Sequence, residues 1–106
     1  MLTIQEASSL PGFWGAIESL EADLHRIEAE AVRLAEVPAP TGGEARRAAI
    51  LRELLAEALG DAEIDKTGNV RACLPGRKGL AGTMLLAPLD ASYGEGVLPV
   101  IDVRTN

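Results

Sequence analysis

The chain has 106 residues, a formal net charge of −6 and 47% hydrophobic residues, which suits one domain around a single core. Its only basic pairs, 46–47 and 77–78, are expected to be solvated, so neither nucleic acid nor an anionic membrane is an expected partner. One cysteine excludes an internal disulfide. No stretch has the character of a signal peptide or a membrane span, so a cytoplasmic location is expected.

Residues 1–14 have weak periodicity and contain a Leu-Pro-Gly turn followed by Phe13 and Trp14. We predict a loose N-terminal arm or a short helix in this part of the chain. The aromatic pair is expected to anchor the arm, because it supplies most of the aromatic bulk of the chain.

A long amphipathic helix is predicted from Gly15 to Glu36, since apolar residues recur there at spacings of three and four. Its apolar seam consists of Ile17, Leu20, Leu24, Ile27, Ala31 and Leu34. The other faces are acidic and are expected to be solvated, although such a seam also resembles a short coiled-coil surface. His25, the only histidine, is predicted to lie at the surface, where it would ligate a metal only together with a partner chain.

A second helix is predicted from Gly43 to Leu59, after the prolines of residues 37–40 end the first one. Thr41 and Glu44 match the capping-box pattern, in which each side chain satisfies the backbone amide of the other residue. Gly60 is well placed to end this helix.

The periodicity then changes to two, which predicts a β-hairpin of residues 62–65 and 70–74 around the turn Lys66-Thr67-Gly68-Asn69. Gly68 and Asn69 both tolerate the positive φ that tight turns require. Cys73 is predicted to be a buried or half-buried, unreactive thiol within the second strand.

A buried strand is predicted for Thr83–Ala87, and an edge strand interrupted by Pro99 for Val97–Val103. These elements together favour an α/β or α+β fold. Two N-terminal helices would pack on a small mixed sheet of three to four strands, in which Thr83–Ala87 is the most buried.

Three stretches resemble, in order, the start of the catalytic domain of the M20 family of zinc-dependent exopeptidases and amidohydrolases. They are P-A-P-T-G-G-E at Pro38–Glu44, D-K-T-G-N-V at Asp65–Val70 and T-M-L-L-A-P-L-D at Thr83–Asp90. The resemblance covers about residues 20–90, and it implies that residues 1–106 form a single, partial domain of the zinc-exopeptidase type.

In that family the last stretch ends in Gly-His-x-Asp, where the histidine binds zinc and the aspartate orients the histidine. Asp90 takes the aspartate position, whereas Pro88 and Ala87 stand where the family has histidine and glycine. Proline has no side-chain donor atom for zinc, the chain has no adjacent pair of glutamates, and it ends 16 residues after Asp90. We therefore expect Asp90 to be vestigial, and we expect no metal site and no cofactor in this chain.

Three interpretations follow. The first is a truncated or degenerate M20 metallopeptidase-like protein without hydrolase activity by itself. The second is a non-catalytic module that binds its own copy or another chain through the seam of helix 15–36 or an exposed sheet edge. The third is an unrelated enzyme with convergent carboxylates, namely Asp65, Asp90, Glu95 and Asp102. Ser92 lacks the flanking residues of a nucleophile elbow.

Overall fold

The computed structural model of the chain describes residues 2–79 and 81–91. The described residues combine four helices with a two-stranded antiparallel sheet, so the chain is a mixed helix-and-sheet protein. Its contacts divide the chain into two compact units, Met1–Val32 and Arg33–Asn106. No helix in the described ranges is long and apolar enough to cross a bilayer.

The first unit begins with a short helix, α1 (Ile4–Ser8), within the predicted N-terminal arm. Its start carries a capping box: the Thr3 hydroxyl accepts from the Glu6 amide at 3.2 Å, and the Glu6 carboxylate accepts from the Thr3 amide at 2.8 Å. This box was not predicted, although Thr3 and Glu6 have the spacing of the pattern. The hydrogen bonds to Thr3 also lower the pKa of Glu6.

Two helices, α2 (Phe13–Ala22) and α3 (Leu24–Ala35), replace the single helix predicted for residues 15–36. The interruption is at Asp23, whose φ of −91° and ψ of 3° depart from helical values. Aspartate favours helix starts over helix interiors because its side chain competes for nearby polar groups. Here the Asp23 carboxylate accepts from the Arg26 guanidinium at 3.0 Å.

The second unit contains α4 (Ala45–Leu59) and a hairpin of β1 (Glu63–Ile64) and β2 (Val70–Arg71). The strands pair in the register Glu63↔Arg71 and Ile64↔Val70, and α4 packs on both of them. The buried residues of this unit include Ala39, Ala48 and Ala62. Small side chains therefore bring the loop before α4, the helix and the hairpin close together.

Both predicted glycine positions in the second unit are confirmed. Gly60 ends α4 with a φ of 87°, and its amide donates to the Ala56 carbonyl. Gly68 has a φ of 93° in the hairpin turn, where L-residues with a side chain are strained. Asn69 does not share this geometry, because every positive φ in the described residues belongs to glycine.

The predicted buried strand Thr83–Ala87 is wrong in this structure. These residues form no strand, and Met84, Leu85 and Leu86 are 79%, 92% and 85% exposed. A strand needs neighbours for its backbone groups, whereas an apolar sequence indicates only a capacity for burial. In the described residues the sheet has two strands, and the predicted edge strand Val97–Val103 lies outside them.

Cys73 also differs from its prediction. It is exposed, and it lies beyond the end of β2 rather than within a strand. The hairpin is shorter than the alternation of residues 70–74 suggested, because the ladder ends at Arg71. A residue past that point loses the sheet face that would have covered it.

Candidate functional site

An open cleft of about 980 Å³ lies in the second unit. Its lining includes residues from all three stretches that carry the M20 resemblance: Gly42 and Glu44 from the first, Asp65–Val70 from the second and Met84–Asp90 from the third. Ala48 and Leu51 of α4 line it as well. Stretches far apart in sequence therefore meet at one concave surface of the size that binds small ligands.

Asp90 is joined to the loop before α4 by two contacts. Its carboxylate accepts a hydrogen bond from the Thr41 hydroxyl at 2.7 Å, and the following amide, of Ala91, donates to the Ala39 carbonyl at 2.7 Å. Ala39 is fully buried, so this attachment reaches the interior of the unit. The third stretch is thereby fixed to the first across 49 residues of sequence.

The capping box predicted for Thr41 and Glu44 is wrong. Glu44 is itself the residue at the helix N-cap, without a side-chain cap bond, and its carboxylate accepts from the Gly42 amide at 2.8 Å. Thr41 donates to Asp90 instead. A local pattern cannot indicate this outcome, since the competing acceptor lies 49 residues away.

Arg47 reinforces the same attachment from α4. Its half-buried guanidinium donates to the Val37 carbonyl at 2.6 Å and 3.2 Å, to the Leu89 carbonyl at 2.9 Å and to the Ala35 carbonyl at 3.4 Å. The expectation that residues 46–47 are merely solvated is therefore wrong for Arg47. A planar guanidinium has donors in several directions, which lets one side chain tie together three segments.

Asp65 closes the hairpin turn through its side chain. The carboxylate accepts from the hydroxyl and amide of Thr67 at 2.7 Å and 2.9 Å, and from the amide and side chain of Asn69 at 2.9 Å and 3.1 Å. The hydrogen bonds from Thr67 and Asn69 hold the pKa of Asp65 well below its ordinary value. Such a carboxylate is a weak base, so its position in the cleft is that of a turn-forming residue.

The structure describes only some of the carboxylates on which the third interpretation, an unrelated enzyme, depends. Asp65 and Asp90 both line the cleft, whereas Glu95, Asp102 and Ser92 lie outside the described residues. Both placed carboxylates already accept hydrogen bonds from threonine side chains. For Asp65, these hydrogen bonds lower the pKa, which is the opposite of what a general acid or base near neutral pH requires.

The described residues do not fit a zinc ion in the cleft. Pro88, where the resemblance would place a histidine, lines it without a side-chain donor atom, and within residues 2–79 and 81–91 no three His, Cys, Asp or Glu side chains come together as a metal site. His25 lies in the first unit with its ring 4.0 Å from the Glu28 carboxylate and almost fully exposed. A catalytic zinc needs three protein ligands held together.

We compared the chain with family models, with curated proteins and with solved structures, and found no match in any of the three comparisons. We therefore infer function from this chain's own residues, namely from the cleft where the three M20-like stretches meet and from the surfaces that the described residues expose.

Proposed function

We propose that the chain is a degenerate M20 metallopeptidase-like protein, with an incomplete domain of the zinc-exopeptidase type and without hydrolase activity by itself. The observation that supports this proposal is a cleft whose lining includes Gly42 and Glu44, Asp65–Val70 and Met84–Asp90. The three stretches are far apart in sequence, and the second unit brings residues of each to one concave surface.

The loss of activity follows from the chemistry at Pro88 and Asp90. In the family the aspartate accepts from a histidine ring and thereby aims that ring at zinc. Here the Asp90 carboxylate accepts from the Thr41 hydroxyl, and Pro88 has no imidazole that could be aimed at a metal. Without a metal to lower its pKa, a water molecule in the cleft would not ionise near neutral pH and would be a poor nucleophile toward an amide.

Zinc titration by calorimetry and hydrolysis assays on acylated amino acids and dipeptides test the missing activity. We expect no stoichiometric zinc binding and no turnover. Stoichiometric zinc bound more tightly than by a generic acidic protein would overturn the proposal. Turnover that Asp90→Asn abolishes would overturn it equally.

The resemblance itself is tested by restoring the family residue with Pro88→His. If Asp90 stands in the family position, its carboxylate raises the pKa of the introduced imidazole, and adding Asp90→Asn lowers that pKa again. The measurement is the NMR titration of the imidazole, with Pro75→His in the exposed loop as the matched control. Equal midpoints with and without Asp90→Asn would contradict the assignment of Asp90.

A second candidate function is an interaction module that uses the seam on α2 and α3. The observation that favours it is the exposure of Leu20, Leu24 and Ile27, at 58%, 51% and 39%. Apolar side chains in a row on a helix surface are typical of a face that meets another protein. Sedimentation of the wild type and of Leu24→Asp combined with Ile27→Asp tests self-association. If both proteins are monomers, the seam does not bind a second copy, and its partner would be a different protein.

A further inference from the structure

The seam in the first unit follows the a and d positions of a heptad pattern. Its members there are Ile17, Leu20, Leu24, Ile27 and Ala31. Two hydrogen bonds meet at Asp23, between α2 and α3: the Asp23 amide donates to the Ser19 carbonyl at 3.1 Å, and the Ile27 amide donates to the Asp23 carbonyl at 3.0 Å. The i→i−4 pattern of a helix is thus kept on both sides of Asp23.

Acidic residues occupy all four positions that flank the seam between Leu20 and Ala31. In the heptad frame the e positions are Glu21 and Glu28, and the g positions are Asp23 and Glu30. These are the positions whose charges decide which helix a coiled-coil surface accepts.

The basic residues nearby leave most of this charge in place. Arg26 lies on the far side of the helix, 3.0 Å from Asp23 and 3.4 Å from Glu30, and so partly offsets the g edge. On the e edge, His25 lies 4.0 Å from Glu28 and is charged only when protonated. The seam therefore has acidic borders on both sides at neutral pH.

These borders disfavour a second copy of the chain as the occupant. In a parallel pair the g position of one helix faces the following e position of the other, which sets Asp23 against Glu28. In an antiparallel pair e faces e and g faces g, which again sets acid against acid. Like charges at such positions repel, so both orientations of self-pairing are penalised.

We propose that the seam binds an amphipathic helix of another protein whose apolar stripe is flanked by Lys or Arg. This proposal rests on the interaction function of the seam and adds the chemistry of the partner. The partner's apolar side chains would cover Leu20, Leu24 and Ile27, and its basic side chains would lie against the acidic e and g positions. Charge thus selects the partner, while apolar burial supplies most of the affinity.

Two synthetic helices of about three heptads test the proposal on the full chain, one with Leu at a and d and Lys at e and g, the other with Glu at e and g. Trp14, the only tryptophan, is 63% exposed on α2 near Ile17 and reports binding by a fluorescence shift. We expect the Lys helix to bind at physiological salt at least about tenfold more tightly than the Glu helix.

Three variants separate the seam from general charge attraction. Leu24→Asp with Ile27→Asp should abolish binding of the Lys helix, whereas the control Leu74→Asp, at an exposed residue of the second unit, should keep it. Glu21→Lys with Glu28→Lys should shift the preference toward the Glu helix. Circular dichroism confirms that each variant keeps its helices.

Each contrary result has a distinct meaning. Equal affinity for both helices would overturn the proposal of a basic partner helix. Binding of the Lys helix that persists in Leu24→Asp with Ile27→Asp would overturn it as well. A wild-type dimer that the seam variant dissolves overturns it as well, but leaves the seam as an interaction surface. A monomer that binds neither helix counts against both the partner and the interaction function, while the M20-like proposal is still judged by its own titrations.

Discussion

Arg47→Met is the substitution that most directly tests how the second unit holds the cleft together. Methionine keeps the length and apolar stem of the side chain but removes every donor. The contacts at 2.6 Å to Val37 and 2.9 Å to Leu89 are strong by their geometry, whereas the one at 3.4 Å to Ala35 is long. A hydrogen bond from a charged group contributes about 1.5–3 kcal/mol, and half-burial favours the lower end, so the substitution should cost about 3 kcal/mol.

Urea denaturation followed by circular dichroism measures this loss as a change in the free energy of unfolding. Arg46→Met is the matched control, because Arg46 is the exposed neighbour on the same helix. It should change stability by no more than about 0.5 kcal/mol. If both substitutions had equal effects, the hydrogen bonds of Arg47 would contribute nothing net, and the account of the attachment would be refuted.

Four further substitutions test other parts of the structure by the same denaturation assay. Leu85→Ser should be nearly neutral, since this side chain is exposed, and a loss above about 2 kcal/mol would instead indicate the buried strand predicted from sequence. Gly60→Ala should destabilise the fold by about 1 kcal/mol, because the backbone of Gly60 has a positive φ. Gly15→Ala should instead stabilise it by up to about 1 kcal/mol, because Gly15 lies on α2 with open space around it. A loss of stability in Gly15→Ala would contradict the helical position of Gly15. The hydrogen bonds of the turn lower the pKa of Asp65 in the folded state. The wild type should therefore be more stable than Asp65→Asn at a pH above the ordinary aspartate pKa of 3.8, and this difference should decline as the pH falls below 3.8. A constant difference between pH 7 and 3 would contradict that role.

Features encoded within a few residues were predicted well. The stop of α4 at Gly60 and the hairpin turn at Gly68 each depend on a backbone geometry that glycine adopts readily. The position of α4 followed from the periodicity of its apolar residues, within two residues at its start. Such features need no knowledge of distant parts of the chain.

Features that depend on distant partners were not predicted. Thr41 fits a capping box locally, but the Asp90 carboxylate offers its hydroxyl a stronger acceptor from 49 residues away. Arg47 was indistinguishable in sequence from its neighbour Arg46, because only the fold brings the carbonyls of Val37 and Leu89 within its reach. For the same reason, apolar content alone could not decide whether residues 83–87 find a partner strand.

The attachment of Asp90 also determines what a substitution there can reveal. Backbone contacts hold both of its neighbours, since the Leu89 carbonyl accepts from Arg47 and the Ala91 amide donates to the Ala39 carbonyl. In Asp90→Asn the side-chain oxygen still accepts from the Thr41 hydroxyl, so geometry is kept while the negative charge is lost. Any zinc binding or turnover that Asp90→Asn removes would therefore report on chemistry rather than on folding, which makes this substitution the decisive control for the proposal that Asp90 is vestigial.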